Sequence, residues 1–357
     1  MTVAEFAPQL VPATAKWAFT TRRVDAADID GIQDDVSVAV AGDLVLGRIA
    51  EIGQHKKIQL ASGRYSESYV GDHVVATCGD RYAPDQFEGI ADLDPSGADL
   101  IAAGGVLGTM RRSHAKMANP TRVRPIGLLT DATGEVLNIA RYAVPSLPMP
   151  PDVIVLGVVG SSMNAGKTTA AVSLAHGLLR AGHRVAGLKA TGSGAFGDFN
   201  AFLDAGIDLV ADFTDAGMPT TYRQSLDRIE EGFEALVAHV AAKGAEVVVV
   251  ELADGVFQQE TAELLRCSRI RESFAGIMFA AADAVGAAGG VAALRAMGLE
   301  PFAVSGLVTC SPLGSAEAEA ATGVPVVSRT ALCDPARAAA LTGDVVSQGA
   351  KARRQVA

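Results

Sequence analysis

The 357-residue chain has few cysteines, few aromatic residues and little charge. Its four cysteines are widely spaced and form no Cys-x-x-Cys pair, so neither a disulfide framework nor a zinc site is expected. Aromatic residues make up 5% and charged residues 20%, while 49% of the chain is apolar, which excludes a disordered protein. The apolar mass is therefore largely aliphatic, as in tightly packed helices and sheets.

Long uncharged apolar runs are also absent. None reaches the roughly 18 residues that a membrane-spanning helix requires. The first residues do not have the charge order of a signal peptide, because Glu5 comes early and Arg22 and Arg23 follow the apolar stretch instead of preceding it. A soluble, cytoplasmic protein with no membrane partner is the expectation.

The formal net charge of -10 disfavours a nucleic-acid partner, because duplex binding depends on neutralising phosphates with Lys and Arg. Residues 100–130 reverse this balance, since they contain no Asp or Glu and include five basic side chains. Gly104-Gly105 and Asn119-Pro120 suggest a loop there. Three interpretations stay open: a lid over a triphosphate or anionic substrate, a subunit contact, or a solvated face. Substrate contact would involve Arg111, Arg112 and His114.

The length predicts two domains, with three as the alternative. Residues 1–150 contain short β-branched runs between turn residues, which predict a smaller β-rich domain with a hairpin of Ile126 to Leu129 and Glu135 to Ile139. Four prolines between Val144 and Pro151 mark the boundary. Residues 346–357 form the predicted tail. The strands predicted in the first domain are Val36 to Val40, Leu44 to Ile49, Lys57 to Leu60 and Val74 to Ala76.

Residues 151–345 alternate unbroken apolar runs with helical segments. Strands buried on both faces have this pattern, and the intervening helices fit the crossovers of a parallel sheet. The sequence predicts an α/β domain with a doubly wound, mainly parallel sheet, in which ligands bind beyond the carboxyl ends of the strands. The predicted strands are Val153 to Val159, Arg184 to Ala190, Glu246 to Leu252, Phe274 to Ala282, Pro301 to Thr309 and Pro325 to Val327.

A phosphate-binding loop follows the first of these strands. The segment ends in Gly-Lys-Thr-Thr and leads into a helix, which is the context of a P-loop (Walker A) motif. In that reading, loop amides surround the phosphates, Lys167 supplies charge at the β and γ positions, and the Thr168 hydroxyl ligates Mg²⁺. The predicted nucleotide-binding residues of the loop are Gly160, Ser161, Ser162, Met163, Asn164, Ala165, Gly166, Lys167, Thr168 and Thr169.

The loop resembles one branch of the P-loop NTPases. The usual pattern has glycine five positions before Gly166, where this chain has Ser161, and Gly160 lies one residue earlier. This spacing resembles dethiobiotin synthetase and its relatives, the cobyrinic acid amidases and molybdopterin-guanine dinucleotide adaptors. Ser162 stands where the partition-ATPase branch has a second lysine, which disfavours that branch. The resemblance covers roughly the last 200 residues.

Polar residues at later strand ends fit the same branch. Lys189 lies at the mouth of the predicted sheet and could hold an anionic substrate against the γ-phosphate, with Thr191 and Ser193 as further substrate contacts. Glu251 follows four valines, where a carboxylate is costly without a cation or donor, and it matches the acidic residue with which the family's third strand reaches Mg²⁺.

Further carboxylates are less clearly assigned. Asp254 is a candidate catalytic residue, although the family segment is glycine-rich there and this departure puts the carboxylation of diaminopelargonate in doubt. Asp198, Asp212 and Asp215 fit a helix cap or turn as well as a ligand. Thr168, Glu251 and Asp212 form the predicted metal set.

The nucleotide base is expected near Ser311-Pro312, which follows a strand where this class commonly recognises the base. The guanine-selective Asn-Lys-x-Asp motif is absent, which favours ATP. The sequence thus predicts a kinase or ligase, dependent on ATP and Mg²⁺, that phosphorylates or activates a small acceptor and forms a homodimer. Two alternatives stay open: a nucleotide-dependent adaptor for cofactor biosynthesis, and a hydrolase or group transferase that uses the loop only to bind phosphate.

Overall fold

The computed structural model describes residues 10–267 and 269–343. The predicted tail, residues 346–357, lies outside the described residues. The chain divides into two compact units. The first ends at Val144, before the predicted boundary, and it also includes Ser193–Phe196 and Phe213–Arg223 from the later part of the chain.

The first unit is built on an eight-stranded sheet with a separate two-stranded hairpin of β4 and β5. The strand order is β1-β6-β3-β10-β8-β9-β7, β2 pairs with β10, and β6 also pairs with β9. That last pairing closes β6, β3, β10, β8 and β9 into a ring, a small barrel. The strands are β1 (Lys16–Trp17), β2 (Gly31–Gln33), β3 (Leu44–Glu51), β4 (Lys57–Gln59), β5 (Tyr65–Glu67), β6 (His73–Cys78), β7 (Phe87–Ile90), β8 (Ala98–Ala102), β9 (Val106–Ser113) and β10 (Thr121–Thr130).

Each strand of the ring contributes a fully buried aliphatic side chain to one core cluster. These side chains are Val45, Val74, Leu100, Leu107 and Val123. Aliphatic residues pack the interior of a small barrel without polar atoms that would need partners. The β-rich character expected for this part of the chain is therefore observed.

Two local predictions for this unit were wrong. The apolar run from Val36 forms a 3-10 helix, Val36–Val38, because the Asp35 side chain accepts a hydrogen bond from the Ser37 backbone N–H and caps it. Much of the basic segment 100–130, expected as a loop, lies in β9 and β10. The Thr121–Thr130 strand begins with alternating burial, as a strand with one face in a core requires.

The predicted hairpin after Ile126 is only partly present. Thr130 and Val136 form an isolated bridge, and the Leu137 backbone N–H donates to the Leu129 carbonyl at 2.8 Å. The chain then turns into a 3-10 helix, Ile139–Tyr142, capped by the Asn138 side chain. The second arm of the hairpin is therefore cut short by a side-chain cap.

The two later segments of the first unit are held by hydrogen bonds and an ion pair. The Phe196 backbone N–H donates to Gln59 Oε1 at 2.7 Å. The half-buried Arg22 guanidinium donates to Asp215 Oδ2 at 2.6 Å, and the Asp215 carbonyl accepts from the Val144 backbone N–H at 2.8 Å. Gly194 N–H donates to the Pro219 carbonyl, which joins the two segments to each other.

The second unit contains the predicted α/β sheet. Its six strands are all parallel in the order β13-β12-β14-β11-β15-β16. The strands are β11 (Ile154–Gly160), β12 (Val185–Lys189), β13 (Leu209–Asp212), β14 (Val247–Glu251), β15 (Phe274–Ala280) and β16 (Pro301–Ser305). Strand β13 was not predicted, and the predicted strand Pro325 to Val327 forms only an isolated bridge of Val326 with Val304.

Helices connect the strands and cover the sheet. They are α1 (Lys167–Arg180), α2 (Phe196–Asp204), α3 (Leu226–Ala242), α4 (Gln259–Cys267), α5 (Arg269–Ser273), α6 (Ala284–Ala296), α7 (Pro312–Thr322) and α8 (Arg329–Cys333). The apolar face of α1 packs through Ala171, Leu174 and Leu178 into a core cluster that includes Val247 and Val249 of β14. Across residues 10–267 and 269–343, no helix is both long and apolar enough to cross a membrane.

Two adjacent glycines in α6 test this packing. A Cβ at Gly290 would lie 1.9 Å from Cζ of the buried Phe279 ring, whereas a Cβ at Gly289 would meet no atom within 4 Å. Gly290→Ala should lower the free energy of unfolding by about 1–3 kcal/mol through overpacking. Gly289→Ala should raise it by up to about 1 kcal/mol, because alanine is the better helix former. Urea titration monitored by circular dichroism checks both, and equal effects would contradict the packing.

Candidate functional site

The loop between β11 and α1 is fixed at both ends by neighbouring segments. The Ser161 backbone N–H donates to the Ala280 carbonyl of β15 at 2.9 Å. The Ala165 carbonyl accepts at 3.1 Å from the N–H of Leu307, which begins a 3-10 helix after β16. Asn164 and Gly166 have φ of 63° and 94°, in the left-handed region. The loop is therefore a tightly curved turn that carries the chain from the buried strand into the helix.

Close approach explains the glycines at the two ends of this loop. A Cβ at Gly160 would lie 2.7 Å from Lys167 Cγ and 2.8 Å from the Ala280 carbonyl oxygen. A Cβ at Gly166 would lie 2.9 Å from Gly306 Cα, and its positive φ disfavours any side chain. Both positions thus require glycine, even though the motif has its first glycine one residue early.

The N-terminus of α1 faces the loop with no side chain capping it, because Gly166 holds the cap position. The first backbone N–H groups of a helix have no partner within the helix, and the helix dipole adds positive potential there. The Lys167 ammonium lies across the loop and donates to the Ser162 carbonyl at 2.7 Å. This arrangement suits an anion such as a phosphate group.

A cavity of about 340 Å³ opens at this helix end. It collects residues from separate parts of the second unit, at the carboxyl ends of β12 and β14, as expected for a doubly wound sheet. Its lining consists of Met163, Asn164, Gly166, Lys167, Thr168, Thr169, Lys189, Asp198, Glu251, Ala253, Asp254 and Leu307. Below it is called the phosphate cavity. Among the predicted catalytic residues, Lys167, Lys189 and Asp254 all lie in it.

Asp198 joins two of the predicted side chains. It lies in the first turn of α2, forms an ion pair with the Lys189 ammonium, and accepts from the Thr168 hydroxyl at 2.9 Å. Burial opposes both charges, but the attraction of Asp198 raises the pKa of Lys189 and the Lys189 charge keeps the pKa of Asp198 below its usual value. The pair is therefore charged at neutral pH.

Glu251 ends β14 and is 2% exposed. Its Oε2 atom is buried and has no hydrogen-bond partner among the described residues. Burial and the neighbouring Asp198 charge raise the pKa of this carboxyl, while Lys189 and Lys167 partly offset the shift. An orphaned carboxylate oxygen inside a polar cavity is costly unless a cation or a donor reaches it.

Burial lowers the pKa of the Lys167 ammonium, although Glu251 and Asp254 act in the opposite direction. Two ammonium groups thus share one cavity with three carboxylates, those of Asp198, Glu251 and Asp254. The cavity is electrostatically close to balance, with one negative charge in excess when all five groups are ionised.

Other predicted substrate and metal residues lie outside the lining of the phosphate cavity. The Thr191 hydroxyl donates to the Ala253 carbonyl at 2.5 Å, so it supports the cavity wall. Ser193 belongs to the first unit, where it forms a bridge with Thr220. Asp212 is buried at the end of β13, in register with Lys189. Asp198 and Glu251, but not Asp212, therefore line the cavity beside Lys189.

The predicted base contacts have a structural role in this fold. The Ser311 side chain caps α7 by accepting from the Gly314 N–H, and Pro312 is the first residue of that helix. Leu307, four residues earlier, lines the phosphate cavity. A buried strand followed directly by a glycine, Ser305-Gly306, is the sequence signal that could have pointed to Leu307 instead.

The predicted substrate residues of the basic segment lie in the first unit. Arg111 pairs with Asp92 at 3.3 Å and Arg112 with Glu88 at 3.4 Å, and both arginines are exposed. His114 follows β9 and accepts at Nδ1 from the Lys116 backbone N–H at 3.2 Å. The two arginines are therefore matched with carboxylates from outside the segment, in contacts that are weak when solvated.

The chain matches no protein-family model and no curated protein. Among solved structures it is similar to the signal recognition particle 54 kDa protein from Aeropyrum pernix K1 in complex with GDP, at 20% identity and a TM-score of 0.36 over 58% of this chain and 50% of that one.

It is also similar to the signal recognition particle receptor FtsY from Elizabethkingia anophelis. One structure matches at 17% identity and a TM-score of 0.36, over 52% of this chain and 60% of that one. A second structure, in complex with GDP, matches at 14% identity and a TM-score of 0.37, over 57% of this chain and 67% of that one. The chain thus spans half to two thirds of these proteins. The parallel sheet, the loop and α1 of this chain are therefore the basis for assigning the P-loop fold.

The Lys189–Asp198 pair, whose side chains are 15% and 24% exposed, predicts a stability effect. Lys189→Met removes the cation between Asp198 and Glu251, and leaving a largely buried polar group without its partner costs about 1–3 kcal/mol of unfolding free energy. Lys57→Met is the matched control, because Lys57 pairs with Glu67 at 2.7 Å with both side chains more than half exposed, where an ion pair contributes little to stability. Denaturant titrations of both variants measure the difference.

The double variant Lys189→Met/Asp198→Asn should recover part of the loss, since the uncompensated carboxylate is gone. Equal, small effects of Lys189→Met and Lys57→Met would show that the Lys189–Asp198 pair does not organise the cavity.

Proposed function

We propose that this protein is an enzyme dependent on ATP and Mg²⁺ that transfers the γ-phosphoryl group to a small anionic acceptor, or activates it, in the manner of dethiobiotin synthetase. The convergence of Lys167, Lys189, Asp198 and Glu251 on the phosphate cavity carries the proposal. Phosphoryl transfer depends mainly on positioning and electrostatic stabilisation, and these residues supply both kinds of group.

The phosphate chain would be held by the loop and by α1. Backbone N–H groups of the first helical turn would face the bound anion. Lys167 can move its ammonium from the Ser162 carbonyl to a phosphate oxygen, because a hydrogen bond to an ionised acceptor is stronger than one to a neutral carbonyl. Lys189 supplies the second positive charge, at the end of β12, where an acceptor would meet the γ-phosphate.

The residues present fit a magnesium ion. The orphaned Glu251 Oε2, the Thr168 hydroxyl and the Asp198 carboxylate lie in one cavity and would supply oxygen ligands to the ion. Within the described ranges, no group of three or more His, Cys, Asp or Glu side chains could hold a metal alone. Mg²⁺ characteristically completes its six positions with phosphate oxygens and water, and when bound it would neutralise charge on the phosphates.

Asp198 would serve both Mg²⁺ and Lys189. The carboxylate has two oxygens, of which Oδ1 accepts from Thr168 and Oδ2 pairs with Lys189. Because the two oxygens face different partners, Asp198 could help to hold the cation together with Thr168 while Lys189 stays paired with it. Asp198 would thus position both the metal side and the acceptor side of the transfer.

Asp254 would act on the acceptor as the third carboxylate of the phosphate cavity. It lines the cavity, where its charge acts against the burial that lowers the pKa of Lys167. A hydroxyl or amine acceptor oriented by Lys189 could pass a proton to this group. The absence of the Asn-Lys-x-Asp motif is the reason for proposing ATP over GTP.

Replacing the loop lysine tests the phosphate site. Lys167→Ala should abolish nucleotide turnover, because the charge that stabilises the transferring phosphoryl group is lost. Phosphate release with and without candidate acceptors measures this, and circular dichroism confirms that the variant is folded. Full activity in a folded Lys167→Ala protein would rule out the P-loop as the reaction site.

Replacing the orphaned carboxylate tests the metal site. Glu251→Gln keeps the shape and removes the charge, so the Mg²⁺ concentration for half-maximal turnover should rise about tenfold or more. Glu272→Gln, at an exposed position in α5, is the matched control and should leave the titration unchanged. An unaltered Mg²⁺ titration for Glu251→Gln would remove this residue from the site.

Acceptor dependence separates an enzyme from an adaptor. ATP consumption by the purified protein should rise when a suitable small anionic acceptor is added. Slow hydrolysis that only a protein partner changes would instead identify an adaptor, and acceptor turnover with no ATP consumption would identify a hydrolase or transferase.

A further inference from the structure

A second cavity of about 440 Å³ lies in the same unit and shares Thr168 and Thr169 with the phosphate cavity. Its floor is one face of α1, formed by Thr169, Val172, Ser173 and His176 at helical spacing. We name this second cavity the α1 groove. Because the two cavities share the first turn of α1, a ligand that leaves the phosphate cavity at Thr169 enters the groove directly.

Two other helical segments form the walls of the α1 groove. Ala201, Asp204 and Ala205 belong to α2 and the residue after it, and Arg329 and Cys333 belong to α8. The α8 segment is held against α1, since a Cβ at Gly177 would lie 2.0 Å from the Leu332 carbonyl oxygen. The groove is thus a formed cleft between packed helices.

We propose that the α1 groove receives the ribose and base of the nucleotide whose phosphates occupy the phosphate cavity. This inference rests on the proposed function. The γ-phosphate end is fixed by Lys189 and Glu251, at the ends of β12 and β14, and the opposite end of the phosphate chain lies at the first turn of α1. The nucleoside is attached at that opposite end, where Thr169 belongs to both cavities.

The lining of the groove suits the donors of a nucleoside. His176 Nδ1 lies 2.8 Å from the Ala205 carbonyl oxygen. A carbonyl only accepts, so Nδ1 carries the proton and Nε2 of the neutral ring is an acceptor. The Asp204 carboxylate is another acceptor. Ribose hydroxyls and the exocyclic amines of bases are the complementary donors.

The groove also offers contacts for a flat aromatic ring. Arg329 carries a planar guanidinium that stacks on aromatic faces, and Val172 and Ala201 provide apolar surface. A nucleobase combines a flat face with polar edges, which matches this mixed lining. The assignment moves base recognition from the predicted Ser311 and Pro312, which cap α7, to residues of α1, α2 and α8.

The test compares two probes that differ only in the nucleoside. Calorimetric titration of the full chain with Mg²⁺ uses ATP, which carries ribose and base, and inorganic tripolyphosphate, which has neither. Ala201→Trp fills the groove and Arg329→Ala removes the stacking cation. Each should weaken ATP binding by about tenfold or more and leave tripolyphosphate binding within about twofold of the unmodified protein.

Matched controls come from another groove of the same unit, about 540 Å³, lined by residues that include Ser315 and Arg337. Ser315→Trp introduces the same bulky side chain there and Arg337→Ala removes an arginine, and both variants should leave the binding of both probes unaffected. Thermal unfolding of every variant checks the fold, and Arg329→Ala, a truncation at an exposed position, keeps the test valid if Ala201→Trp does not fold.

The outcomes separate the two proposals. Unchanged ATP binding in Ala201→Trp and Arg329→Ala, with both probes lost in Lys167→Ala, would overturn the groove assignment and leave the proposed function standing. Equal weakening of ATP and tripolyphosphate binding in these two variants would also overturn it. A loss of acceptor-dependent turnover at unchanged ATP affinity would overturn it too, and would assign the groove to the acceptor. If neither probe binds the unmodified protein, the proposed function itself is wrong.

Discussion

The ion pair between Lys189 and Asp198 is the interaction on which the candidate site depends. It connects the end of β12 to the first turn of α2, and through the Thr168 hydroxyl it reaches the first turn of α1. Without it, the carboxylates of Asp198, Glu251 and Asp254 would share one cavity with only Lys167 to offset them. The pair therefore allows the phosphate cavity to contain these three acidic side chains.

The sheet explains why these groups are at one edge. Val247 to Val250 are buried on both faces of β14, so the first polar side chain can appear only where the strand ends, at Glu251. This pattern of apolar runs made the α/β fold class, the P-loop and the positions of Lys189 and Glu251 predictable from the sequence. Each of these features depends on a strand pattern, a strand end or a local motif. None of them requires knowledge of contacts between residues far apart in sequence.

Features that depend on pairing between distant residues could not be predicted in this way. The segments 193–196 and 213–223 belong to the first unit because of contacts such as Arg22 with Asp215, which are far apart in sequence. The closed ring of strands similarly depends on β6 pairing with β9. Short apolar runs are also ambiguous: Val36 to Val38 form a 3-10 helix, since the Asp35 cap outweighs β-branched propensity.

The carboxylates of the phosphate cavity show the same limit within the site. Asp212, Lys189 and Glu251 lie in one register row across β13, β12 and β14, so a search of strand ends finds all three. The lining of the cavity also includes Asp198, which α2 brings back towards Lys189 nine residues after β12 ends. The sequence pattern of a helix does not show which of its residues will lie next to the end of a strand, so Asp198 could not be identified in this way. Because Glu251 keeps an unpartnered buried oxygen beside Asp198, the fold retains an unfavourable group where a cation would make it favourable.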